Sequence, residues 1–263
     1  MSQSGFVEIN GIRMHYKEWG NTDNPDVLLI HGWTSNSASW NYIAENIQDK
    51  YHLIAPDHRG HGASGKPATG YYLRNFVDDI CMLMDVLELD KPLIAGNSWG
   101  GCIGTILAAD YSDQISRAFL GDPPYWKMLD AFVTRLPDII NRRKLTDEEV
   151  TKDLQNQGKS TEQIKAKLEG DDNFSLNAVT RLISDNRDFA IKCEDYIRRI
   201  QVPTMIIAGE ANAGGYILDK ELEHYREIAS PMVRFTQWHG AGHLLYSEEP
   251  DRYIKEMLNF FED

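Results

Sequence analysis

Five short apolar runs separated by stretches of helical periodicity constrain this chain more than any other feature. Val27-Leu28-Leu29-Ile30, His52-Leu53-Ile54-Ala55, Pro92-Leu93-Ile94-Ala95, Ala118-Phe119-Leu120 and Met205-Ile206-Ile207-Ala208 are too short for helices and too uniformly apolar for strands with one wet face. They read as strands buried on both sides. Residues 39–47, 73–87, 101–111, 218–228 and 251–261 carry helical spacing between or after them. Parallel strands need crossovers, and helices supply them. The βαβα order therefore predicts an α/β fold, a mostly parallel sheet covered on both faces. Ahead of it, residues 6–9 and 12–17 alternate apolar and polar about Asn10-Gly11, which predicts an antiparallel hairpin.

The alternation stops once. From 123 to 200 no strand-like run occurs, and the pattern is amphipathic and helical, with Asp147-Glu148-Glu149-Val150 opening one helix and Ser160-Thr161-Glu162-Gln163 a second. Gly158 and Gly170-Asp171-Asp172-Asn173 read as turns. The expected organisation is a core of residues 1–122 and 201–263, with 123–200 inserted as a helical cap or lid. Charge follows the same division: the insertion holds 14 basic and 14 acidic residues, leaving 13 and 26 for the rest, so the whole net charge of −13 belongs to the core.

A chain of 263 residues with 42% hydrophobic and 25% charged side chains, and a mean hydropathy of −0.45, is long and apolar enough to bury a core. Disorder and fibre are excluded. The negative charge repels phosphate backbones and anionic lipid, which argues against nucleic-acid and membrane partners. Cys81, Cys102 and Cys193 show no paired spacing, so neither a disulfide framework nor a zinc site is expected. With no leader-like segment and no long apolar stretch, the expected location is cytoplasmic.

The most informative segment is Gly96-Asn97-Ser98-Trp99-Gly100, a G-x-S-x-G set between an apolar strand and an apolar helix. Such a tight turn needs glycines and lifts the serine hydroxyl above the sheet at a helix N-terminus. With His31-Gly32-Trp33 after the third strand, Asp57-His58-Arg59-Gly60-His61-Gly62-Ala63-Ser64 after the fourth and Gly240-Ala241-Gly242-His243 after the last, the chain resembles the α/β-hydrolase fold family over nearly its whole length. The resemblance implies Ser98 as nucleophile, His243 as base, and the backbone N–H groups of Trp33 and Trp99 as oxyanion donors. Asp57, Arg59 and His61 resemble a structural turn of that family and take no catalytic role. His15, His52, His58 and His224 belong to no constellation visible in the sequence.

The acid departs from the family's commonest pattern. An aspartate is usual three residues after Gly209, and this chain has Asn212 there. Some members carry the acid after strand six instead, where Gly121-Asp122-Pro123 offers Asp122; Glu210 is the other candidate. Tyr125, Trp126, Met128 and Phe132, at the start of the insertion, are candidate pocket residues, or else contacts within a helical core.

The resemblance implies a serine hydrolase cleaving a small carboxylic ester or lactone through an acyl-enzyme, with no metal and no cofactor. Carbon–carbon bond hydrolases share the architecture. So do cofactor-independent dioxygenases of N-heteroaromatic, quinolone-like rings, which also carry their acid after strand six. A non-catalytic ligand receptor is a third class. Serine at the elbow argues against the carboxylate-nucleophile chemistry of epoxide hydrolases and dehalogenases. The acyl group and the oligomeric state are not legible in the sequence.

Overall fold

In the computed structural model of the chain, residues 2–125, 128–142, 144–161, 164, 165, 168, 174–186 and 189–263 are described. One eight-stranded sheet organises them: β1 (Gln3–Ile9), β2 (Ile12–Trp19), β3 (Asp26–Ile30), β4 (His52–Pro56), β5 (Leu93–Asn97), β6 (Arg117–Gly121), β7 (Thr204–Gly209) and β8 (Val233–Trp238). The order is β1-β2-β4-β3-β5-β6-β7-β8, parallel from β4 to β8 and antiparallel at the β1-β2-β4 end. The Asn10-Gly11 turn, both residues at positive φ, sets the hairpin register at Ile9 opposite Ile12. Each strand predicted from an apolar run is present, within a residue or two at its ends.

The helices with described bounds are α1 (Asn41–Ile47), α2 (Leu73–Val86), α3 (Trp99–Asp110), α4 (Met128–Arg142), α5 (Asp147–Asn156), α6 (Leu176–Asp185), α7 (Phe189–Arg199), α8 (Asp219–Ile228), α9 (Leu245–Glu248) and α10 (Pro250–Glu262). Two apolar clusters lie on opposite faces of the sheet. One gathers Leu28, Ile54 and Ile94 with Phe76, Ile80, Ile103 and Tyr225, and the other gathers Val27, Leu29 and Phe119 with Trp40, Ile43, Tyr253 and Met257. Alternate residues of one strand enter opposite clusters, as the pleat requires. Helix α3 starts two residues before the predicted position, directly after Ser98.

Among the described residues, helices α4 to α7 lie in the stretch between β6 and β7. The Asp147 start is a capping box, Thr146 exchanging hydrogen bonds with Glu149. The start expected at Ser160 falls partly on residues 162–163, and the turn expected at 170–173 wholly, outside the described residues. Val150, Leu154 and Ile164 form a small apolar cluster of their own. Phe174, Ala178, Val179, Leu182, Cys193 and Ile197 instead join the core cluster of the sheet. Helix α6 is also tied by polar bonds to the loop after β4: Ser175 N–H donates to Gly60 O at 2.7 Å, and Asn186 accepts from Leu73 N–H at 2.5 Å while donating to Tyr71 O at 2.8 Å. Among the described residues, no helix is long and apolar enough to cross a membrane.

Candidate active site

The site assembles at the C-terminal ends of β5, β6 and β8, where an open parallel sheet leaves a crevice. Ser98 follows β5 and immediately precedes α3 with φ 58° and ψ −121°, a conformation a non-glycine residue holds only under constraint from its surroundings. Those surroundings are tight. A Cβ on Gly96 would stand 2.5 Å from Gly100 O, and one on Gly100 would stand 2.0 Å from Ile30 O, so both positions exclude a side chain. Ser98 is pinned from both sides, its N–H donating to Gly121 O at 2.8 Å and its carbonyl accepting from Cys102 N–H at 3.1 Å.

His243 Nε2 lies 2.8 Å from Ser98 Oγ, and His243 Nδ1 lies 2.7 Å from Asp122 Oδ2. An ionised carboxylate only accepts, so the ring proton sits on Nδ1 and the Nε2 lone pair faces the serine hydroxyl. Asp122 is fully buried, yet among the described residues no Lys or Arg bonds it. Instead its oxygens accept from the backbone N–H groups of Gly209 at 3.1 Å, Tyr216 at 2.8 Å and Ile217 at 3.3 Å. Its own φ of 40° turns the chain sharply out of β6, its N–H bonding Ile207 O on the neighbouring strand.

Of the two acid candidates, only Asp122 reaches the imidazole. Glu210 Oε2 accepts from Gly240 N–H at 2.6 Å, bracing the loop that carries His243 from below. Asn212, in the family's usual acid position, is exposed within a single turn of 3-10 helix. His239 is exposed as well.

The loop after β3 lies directly over the serine: a Cβ on Gly32 would stand 3.2 Å from Ser98 Cβ. Its shape is fixed by three buried histidines. His31 Nδ1 donates to Gly32 O at 2.7 Å, His31 Nε2 accepts from His58 N–H at 3.0 Å, and His58 Nε2 donates to His31 O at 3.0 Å. His61 completes the group, its ring centroid 5.4 Å from that of His31. Burial, reinforced by repulsion within the group, holds His31 and His58 well below the ordinary imidazole range, and burial pushes His61 down to about 4. All three are therefore neutral near pH 7, and at His31 one donating and one accepting ring nitrogen require it.

Trp33 and Trp99 are both buried, and the Trp99 ring meets Phe76 edge-on at 5.4 Å. Tyr125 is buried with its hydroxyl on Thr105 of α3 and its ring edge-on to Tyr225 at 5.5 Å. Trp126 lies outside the described residues, as do the side chains of Met128 and Phe132, whose backbone belongs to α4. Sequence reasoning missed three supporting groups. Asn97 Nδ2 donates to His243 O at 3.1 Å, the Tyr216 ring lies 4.0 Å from the His243 ring, and Glu248 accepts from Gly242 N–H at 2.6 Å and Leu244 N–H at 3.1 Å. Only Asn97, beside the serine, carried a positional signal.

The sequence profile of the α/β hydrolase fold family matches residues 25–149. Soluble epoxide hydrolase of Corynebacterium sp. is 35% identical over 135 residues, covering 51% of this chain and 46% of that protein. Serine hydrolase-like protein 2 of Homo sapiens is 24% identical over 257 residues, covering 94% of this chain and 77% of that one. The chain thus spans less than half the length of the first of these relatives and about three quarters of the second. Among solved structures, E-2-(acetamidomethylene)succinate hydrolase superposes over all of both chains with a TM-score of 0.84 at 26% identity. The strand order, the serine elbow after β5, the profile match and the full-length superposition agree, and the chain belongs to the α/β-hydrolase fold superfamily.

Proposed function

We propose that this α/β hydrolase cleaves a small carboxylic ester or lactone through an acyl-enzyme on Ser98. The observation that carries the reading is the continuous relay Asp122–His243–Ser98, with contacts of 2.7 and 2.8 Å, at the N-terminus of α3. His243 Nε2 takes the Ser98 proton as Oγ attacks the carbonyl carbon, and Asp122 steadies the imidazolium that forms. The backbone N–H groups of Trp33 and Trp99 receive the oxyanion, a role supported by the loop over Ser98 and the start of α3 immediately after it. His243 then returns its proton to the leaving alcohol, and water admitted by the same base releases the acid. Ser98 and His243 are both less than a tenth exposed, which favours a compact substrate. The test is a panel of p-nitrophenyl esters and lactones assayed with wild type and Ser98→Ala. Turnover should fall by about 10⁴-fold or more in the variant. Retained activity in Ser98→Ala, or oxygen uptake with hydroxyquinolones and no hydrolysis of any ester, would replace this reading with the dioxygenase one.

A further inference from the structure

The hairpin and the loop after β4 bring together a second serine, histidine and aspartate. Ser4 Oγ lies 2.5 Å from His15 Nε2, and His15 Nδ1 lies 2.7 Å from Asp57 Oδ2. Asp57 is buried and its carboxylate also accepts from Ser37 N–H at 2.7 Å and Ala63 N–H at 2.8 Å. Burial works to raise this carboxyl, but those bonds and the imidazole together hold it below the ordinary carboxylate value. It remains an acceptor, so the His15 proton sits on Nδ1 and the Nε2 lone pair points at the Ser4 hydroxyl. His15 is itself fixed: its N–H donates to Ser64 Oγ at 2.8 Å, and its carbonyl accepts from Asp57 N–H at 2.8 Å.

This relay repeats the connectivity around Ser98 but opens to solvent. Ser4 is exposed on the edge strand β1, four strand spacings from β5 and hence roughly 19 Å from the first site. The register places Phe6 opposite His15 and Lys17 opposite Ser4, on the same face. Phe6 lies 5.1 Å from the His15 ring, and the Arg13 guanidinium lies over the Phe6 ring, 3.8 Å from its centroid. The half-exposed Phe6 ring beside the hydroxyl, with the Arg13 cation over it, suits an aryl group as the neighbour of the acyl carbon.

We propose that Ser4 is a second activated serine, with His15 as its base and Asp57 as the group that orients the base, and that it is acylated by activated aryl esters. Ser4 Oγ bonds to the acyl carbon as its proton passes to His15 Nε2. The carbon–oxygen bond to the aryl group breaks, the phenolate leaves with the electron pair, and an acyl ester remains on Ser4. The site is independent of Ser98.

The experiment treats Ser98→Ala with p-nitrophenyl acetate and maps acetylation in the tryptic peptide ending at Arg13. That peptide also contains exposed Ser2, an internal control without a histidine partner. Ser4 should acetylate on the order of 10²-fold faster than Ser2, and that advantage should vanish in Ser98→Ala/His15→Gln. Ser98→Ala/Ser4→Ala should show no acetylserine above the Ser2 level. Equal labelling of Ser2 and Ser4, acetylation confined to amines, or a rate indifferent to His15→Gln would overturn the proposal. Because Ser98 is already absent from these variants, failure here leaves the proposed reaction at Ser98 untouched, and the reverse holds equally.

Discussion

A carboxylate stripped of water costs several kcal/mol unless something replaces the lost solvation, and at Asp122 the replacement is main chain. Three backbone N–H groups and one imidazole occupy its two oxygens, so the side chain that orients the proposed base is held by main chain. Asp122→Asn can present an N–H to His243 Nδ1 and favour the wrong tautomer. Steady-state kinetics should then show kcat lower by about 10⁴-fold, with little change in thermal midpoint. In Glu210→Gln the amide oxygen still accepts from Gly240 N–H, so activity should stay within about tenfold of wild type. A full loss in Glu210→Gln with Asp122→Asn intact would reverse the two roles. At this scale the sequence revealed residues that follow a strand of known register, such as Ser98 and Asp122. It hid Tyr216, Glu248 and the arrival of Asp57 beside His15, which come about only through the closing of long loops. His15 is half legible. The Asn10-Gly11 turn fixes its diagonal relation to Ser4, but nothing local announces that Asp57 arrives beside it.

At the scale of elements, backbone proximity sets the tolerances. Helix α3 approaches β3 so closely that Gly100→Ala drives a methyl group into Ile30 O, which neither backbone can vacate cheaply. Such overpacking costs at least 1–3 kcal/mol by the usual range, and the expected result is a depressed urea midpoint together with misplaced Ser98. Asn186 offers a complementary test. Its side chain serves Leu73 N–H, Tyr71 O and Leu182 O, so Asn186→Leu orphans buried groups on both the inserted segment and the core. A loss of about 1–3 kcal/mol is expected, accompanied by faster amide exchange in α6 than in the sheet. Helix boundaries were readable from spacing wherever a strand followed. Helix α9 was not, because its four residues carry less than two turns of pattern, and α3 begins early because the strained serine feeds straight into it.

For the molecule as a whole, the histidine group behind the loop over Ser98 dictates the response to acid. His61 in the folded chain resists protonation down to about 4, whereas in the unfolded chain it takes up a proton near 6.5. Unfolding is therefore favoured increasingly as pH falls from 6.5 towards 4: the stability is complete above 6.5, and the gap is worth about 3 kcal/mol. His31 and His58 act in the same direction. Urea midpoints should decline steadily between pH 7 and 4.5, and His61→Gln should flatten that decline; a midpoint constant over this range would contradict the argument. The overall architecture was legible because buried parallel strands announce themselves by composition, while the way the 123–200 segment divides between its own cluster and the shared core depends on tertiary contacts no periodicity records. One geometric fact reaches further. Asp122 leaves β6, but its donors come from the end of β7 and the loop after it, and its N–H is bonded to Ile207 within β7. A chain that starts to come apart between these two strands disarms itself before it unravels, so partly opened molecules should contribute structure to a spectroscopic signal and nothing to turnover.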